Sequence, residues 1–178
     1  TIRYDRETKL CTGIGMLELE VEYTYGGTFD PWDVINIYEN GNLAGKYFVS
    51  SVVEGQPNST MVVTAQDNSK RLSDYFIVNS YLIDYPSYTR YWIELFLTEV
   101  GLSYTFLTDS QGSILSNNTA LGLMSAYEQI TQLLQLSGWY ITFNASGKAI
   151  IGKLDADKAK NKGSMNSSDI LEIKVDKN

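Results

Sequence analysis

The chain has 178 residues, a net charge of −7, one cysteine and no histidine. Without histidine there is no His-based acid–base catalysis, no Ser-His or Cys-His nucleophile, and little basis for a zinc site. The acidic balance repels phosphate, which argues against stable nucleic-acid binding and against anionic membrane surfaces.

The single cysteine, Cys11, allows no intrachain disulfide and reads as a small apolar residue. Hydrophobic residues at 43% and charged residues at 20% place the chain among globular proteins. Its length suits one domain or two small ones. No stretch approaches the roughly 20 apolar residues that a membrane helix needs. The chain begins at Thr1 and ends in "KVDKN", which reads as a processed chain or a piece of a longer protein.

Residues 16–25, "MLELEVEYTY", alternate strictly. Leu17, Leu19, Val21, Tyr23 and Tyr25 face one way; Glu18, Glu20, Glu22 and Thr24 face the other. This predicts a half-buried strand. "GGTFDP" breaks it. Two strands are then predicted around Asn40-Gly41, a hairpin signal. A turn at 55–59 leads to a strand over 60–67, "TMVVTAQD". An antiparallel meander of this size tends to roll into a small barrel or sandwich. A short helical turn follows, with Lys70, Arg71 and Asp74, and 77–83 is compatible with one more strand. Pro86 disfavours helix just before it and marks a boundary at 84–89.

From Thr89 the period becomes helical, with Trp92, Leu95, Phe96 and Val100 on one face, Thr89 as N-cap and Gly101 as C-cap. "GLSYTF" at 101–106 continues as a strand, then a turn. After a polar connection, Ser125 and Glu128 form a capping box before a helix that Gly138 ends. "GWYITF" at 138–143 repeats the helix–Gly–strand step. A turn and a strand at 148–154 complete it. A polar connector spans 155–169, and "ILEIKV" at 170–175 alternates again as a strand that needs a partner elsewhere.

The candidate chemistry is thin. Glu18, Glu20 and Glu22 share a strand face that would suit a cation or paired carboxylates, but calcium usually takes six to eight oxygens, often from a loop. A solvated face that discourages edge pairing is the plainer reading. Asp109 sits in a loop without the acid spacing of a calcium site. Asp30 and Asp33 flank Trp32, which suits either a sugar platform or, more simply, a loop anchor. They are also the acids whose replacement would have to abolish turnover in a carboxylate-pair hydrolase, the one enzyme type that needs no histidine. Gly13 and Gly15 precede a strand and not a helix, so they form no phosphate cradle. Trp92 and Trp139 read as core. No metal or cofactor site is expected.

The order of segments resembles the N-terminal region of phage tail hub proteins, which sit in the baseplate of contractile tails or at the tip of long non-contractile ones. The type VI secretion spike is a relative. The resemblance rests on "GIG" before the acidic strand, then "PWDVINIYENG", "YFVSSVVEG" and "MVVTAQDNSKRLSDY". Thr64, Ala65, Asp67, Arg71 and Leu72 match the strand end and short helix of that family. "AYEQITQLLQLSGWYITFNASGKAIIG", with Gly138 and Trp139, matches its helix–strand–turn–strand segment, and "SSDILEIKVDKN" its return strand.

This resemblance implies an α+β chain. A small antiparallel β-barrel (1–85) precedes a compact α/β insert of two helix–strand–turn–strand units (86–157). A connector and strand (158–178) return to the barrel. It implies a non-enzymatic virion protein of the baseplate or tail tip, assembled in the bacterial cytoplasm. Three copies would form a ring joining the sixfold tail tube to a threefold spike or fibre, with tail tube and other tail proteins as partners. The face with Glu18, Glu20 and Glu22 would line the lumen or meet a neighbour. The second barrel of a full hub is missing from the chain. A carbohydrate- or receptor-binding β-module is the alternative, motivated by the aromatic richness and the Asn/Ser/Gly loops.

Overall fold

The computed structural model describes residues 2–9, 12–22, 28–54, 60–154 and 172–176. Cys11, the turn at 55–59 and the connector at 155–169 lie outside the described residues.

The alternating acidic segment is strand β2 (Thr12–Glu22), which begins earlier than its pattern suggests and pairs along 12–19 with β1 (Ile2–Lys9). Leu17 and Leu19 are buried, while Glu18 and Glu20 are exposed. β3 (Val34–Glu39) and β4 (Asn42–Glu54) form the hairpin at Asn40-Gly41, and β5 (Thr60–Gln66) follows. The short helix α1 (Ser69–Asp74) leads to β6 (Phe76–Leu82) and β7 (Ser87–Tyr88). Next come helix α2 (Thr89–Glu99), β8 (Tyr104–Phe106), β9 (Ile114–Leu115) and β10 (Ala120–Ser125). Helix α3 (Ala126–Ser137), β11 (Trp139–Phe143), β12 (Ala149–Lys153) and β13 (Glu172–Asp176) complete the order.

Six strands of a nine-stranded sheet form an antiparallel run in the order β1-β2-β5-β4-β3-β13, and β11, β12 and β8 continue the sheet from β2. β13 pairs with β3, from Glu172 opposite Tyr38 to Asp176 opposite Val34. Register shifts near Ile37 and Val49 bend β4, since a bulge adds local twist. One face buries Leu17, Leu19, Ile35, Ile37, Val49 and Val63. The expected closed barrel is not seen. Among the described residues no ladder joins β1 to β13, and closure needs those edges to come within about 4.8 Å.

The chain is α+β, mostly strand with three helices among the described residues. α2 and α3 pack together against β11, β12 and β8. The two helix–Gly–strand steps both exist. Each helix stops at a left-handed glycine, Gly101 (φ +76°) and Gly138 (φ +63°). At Gly101, N–H bonds run from Gly101 to Thr98 and from Leu102 to Leu97, a Schellman closure.

The units then diverge. β11 and β12 form a hairpin, as the pattern suggests. β8 instead lies parallel to β12, and β9 leaves it to pair with β7. So the first unit is not a helix–strand–turn–strand hairpin. Part of the expected polar connection is strand β10, which pairs with β6.

The Thr89 hydroxyl does not cap α2. Tyr88 holds the cap position, and the Thr89 side chain is buried between the Ser113 N–H and Ser137 Oγ. The capping box of Ser125 and Glu128 is present. A parallel bridge, Ile141 opposite Thr12, joins the α/β body to β2.

Candidate functional site

Two places gather most of the residues singled out by pattern. The first is the outer face of β2. Glu18 stands opposite Thr64 and Glu20 opposite Val62 on β5. The Thr60 hydroxyl donates to Glu20 Oε1 at 3.0 Å. Glu22 continues the row at backbone level, opposite Thr60. Among the described residues no group of three or more His, Cys, Asp or Glu side chains is placed to hold a metal ion. The face presents negative charge to solvent on a rigid, centrally paired strand.

The second place is the segment 67–74, where the sheet meets the α/β body. Asp67 directly follows β5 and is buried. Its N–H donates to Gly15 O at 3.0 Å, and its Oδ2 accepts the Gly15 N–H at 2.8 Å. Oδ1 accepts the Ser69 N–H at 2.9 Å, opening α1. A carboxylate is suited here because it accepts several backbone donors without leaving one buried and unpaired.

Asn68, also buried, donates from Nδ2 to Gly147 O in the β11–β12 turn. Lys70 places its ammonium 4.4 Å from the Trp32 ring centre and pairs with Asp74 at 2.8 Å. Leu72 is buried in the α/β core, and Arg71 O accepts the Tyr75 N–H that closes α1. Eight residues thus fasten β2, the Trp32 loop and the β11–β12 turn to one another.

Trp32 serves as a loop anchor. It packs edge-on against Phe48, with ring centres 5.9 Å apart, and its backbone N–H donates to Val49 O at 3.0 Å. Asp33 is buried and accepts the Asp30 N–H at 3.0 Å, so it holds the same loop. Asp109 stays in an exposed loop. Trp139 is buried, with the Phe106 ring 5.7 Å away, and Trp92 donates from Nε1 to Ser87 Oγ at 2.7 Å. Asn68 and Gly147 carry no pattern that marks their contact. Its two ends are 79 residues apart in sequence.

Among the described residues neither place gathers a nucleophile, a base and oxyanion donors. What the geometry offers is mechanical continuity between two bodies, plus a charged face on one of them.

No family model and no curated protein sequence matches the chain. Solved structures do. The 43 kDa tail protein of prophage MuSo2 from Shewanella oneidensis superposes with a TM-score of 0.59 at 15% identity, covering 86% of this chain and 51% of its own. The prophage tail protein gp18 from Listeria monocytogenes gives 0.60 at 12% identity, covering 85% and 43%. A tail protein from Neisseria meningitidis gives 0.62 at 8% identity, covering 88% and 46%. The chain thus spans about half the length of these proteins and shares the fold of that half.

Proposed function

We propose that this chain is a structural, non-enzymatic component of a phage tail. In this reading it belongs to the hub of the baseplate or tail tip, is assembled in the bacterial cytoplasm, and ends in the virion tail. The observation that carries the reading is the shared fold with two prophage tail proteins and a further tail protein over 85–88% of the chain.

The finer reading is a homotrimeric ring that joins the sixfold tube to a threefold spike or fibre, and contacts tail tube and other tail proteins. Two features support it. All neighbours in the six-stranded portion are antiparallel, so its edges β1 and β13 run in opposite directions. That is the sense needed to close a barrel, or to join sheets between copies. The junction at 67–74 ties the sheet to the α/β body, as a part transmitting force requires. The test is electron microscopy of the purified chain together with its solution mass. A threefold ring near 60.0 kDa, three times 20.0 kDa, is expected. Particles without threefold symmetry at every concentration overturn the ring.

A further inference from the structure

We propose that the outer face of the β6–β10 ribbon is where copies of this chain meet. The proposal names the surface that the ring reading requires, and it rests on that reading for the number of copies.

The inner face of the ribbon packs Ile77, Tyr81 and Leu121 onto the α/β core. The outer face is uncharged, mostly apolar and open to solvent: Phe76 is 55% exposed, Val78 72%, Leu82 58% and Leu123 61%, with Ser80 exposed among them. Among the described residues β6 pairs only with β10, so its second edge also carries no ladder. Neither strand, "FIVNSYL" or "ALGLMS", contains a charged residue or a proline. Open strands normally carry such residues to block unwanted pairing. The same chain follows that rule on its edge strand β1, which pairs only with β2 among the described residues and carries Arg3, Asp5, Arg6, Glu7 and Lys9. The ribbon departs from it.

The ribbon is also built at a cost in backbone strain. Ser80 pairs with Gly122 and Ile77 with Met124, which leaves Val78 and Asn79 together opposite Leu123. Leu123 adopts φ +57°, a left-handed conformation disfavoured for a leucine. The buried side chain of Gln129 holds the bulge by accepting the Gly122 N–H at 2.7 Å. Strain that ends with an apolar side chain in solvent points to a contact surface.

Charge selects the occupant. Copies of a chain with net charge −7 repel one another wherever their acidic faces approach. A basic partner would be drawn to those acidic faces. A second copy of this chain is best accommodated where charge is absent, and the ribbon is such a place.

The test measures solution mass against concentration for the wild-type chain, Val78→Glu and Leu123→Gly, with circular dichroism as a check of the fold. Val78 is exposed, so the glutamate leaves the monomer folded but places charge in an apolar contact. The expected result is a dissociation constant raised about tenfold or more. Leu123→Gly removes the strain and the side chain together. It keeps or raises the melting temperature while weakening association, and it decides the matter should Val78→Glu not fold. A wild-type chain that is monomeric throughout, or a mass that both variants leave unchanged, overturns the proposal. A trimer untouched by either variant overturns the ribbon and keeps the ring. A dimer dissolved by them keeps the ribbon and removes the threefold ring.

Discussion

Gly15 and Asp67 exchange two hydrogen bonds across the junction of β2 and β5, and they leave no room between them. A Cβ built on Gly15 would lie 2.7 Å from Asp67 Oδ2. Glycine is therefore required at 15 by the carboxylate at 67, and the carboxylate is required by the buried Gly15 and Ser69 N–H groups it accepts from.

Asp67→Ala leaves both donors without their acceptor and is expected to destabilise by about 2–4 kcal/mol. Gly15→Ala alone is expected to cost about 1–3 kcal/mol through overpacking. The double variant tests the relationship. With the carboxylate gone, the new methyl group has space, so the pair should cost at least about 1 kcal/mol less than the sum of the single changes. Urea unfolding of the four proteins measures this, and strict additivity would show that the two residues do not constrain each other.

The helix-ending glycines allow a cleaner backbone test. A Cβ on Gly101 or Gly138 would meet no atom within 4 Å, so alanine there creates no clash. The cost is the left-handed conformation alone, about 1–2 kcal/mol at each site. Asparagine, which tolerates that conformation better, should recover part of it. Equal stability of the alanine and asparagine variants would mean that the helix ends rearrange instead of holding the glycine geometry.

These two glycines were legible in the sequence because each follows an apolar helical period, and the capping box at Ser125 was legible for a similar local reason. Strands β2 to β5 were legible because one face is buried and the other polar, which writes a period of two into the chain. The misses have physical causes. β10 contains Gly122 and the left-handed Leu123, so it shows no alternation. β1 is rich in charge and sustains no apolar–polar alternation that would mark it as a strand. Thr89 has the composition of a cap, but tertiary contacts take its hydroxyl. β6 is compatible with a strand, but it carries apolar residues on both faces, so its pattern does not say which face is covered. Only the structure shows one of those faces in solvent. At the junction, Asp67 stood out through a family resemblance. Asn68 and Gly147 did not, because a contact between distant turns leaves no local mark.

Tyr81 makes stability sensitive to alkaline pH. Its hydroxyl donates to Glu99 Oε1 at 2.6 Å, and the ring packs against Trp92 and Phe96. The bond to the Glu99 carboxylate raises the phenol pKa, with a smaller opposing effect from Asn79, and burial and the Glu99 charge add to the rise. A raised pKa means that folding favours the protonated phenol. This contribution is fully present below the unfolded value of about 10 and is lost as pH rises through the higher folded value. The stability advantage of wild type over Tyr81→Phe should therefore be constant near neutral pH and shrink above about pH 10. Thermal unfolding of both proteins across that range decides it. A difference that stays constant into strong alkali would show that the phenol–carboxylate bond does not contribute to folding.

The acidic face of β2 yields the prediction tied most closely to function. In the ring reading, Glu18, Glu20 and Glu22 line a lumen through which DNA slides, because like charges repel. Glu18 and Glu20 are exposed on a strand paired on both sides, so Glu→Lys at these positions alters charge with little effect on packing. The bond from Thr60 to Glu20 is lost, a small cost at an exposed site. Tails carrying all three lysines should assemble, then eject DNA more slowly, and the delay should fade as salt rises, since screening weakens phosphate contacts. Ejection at the normal rate in low salt would remove the face from the lumen. A failure to assemble would place it against a neighbouring subunit instead. The two outcomes separate the two roles that an exposed row of carboxylates can have in a ring.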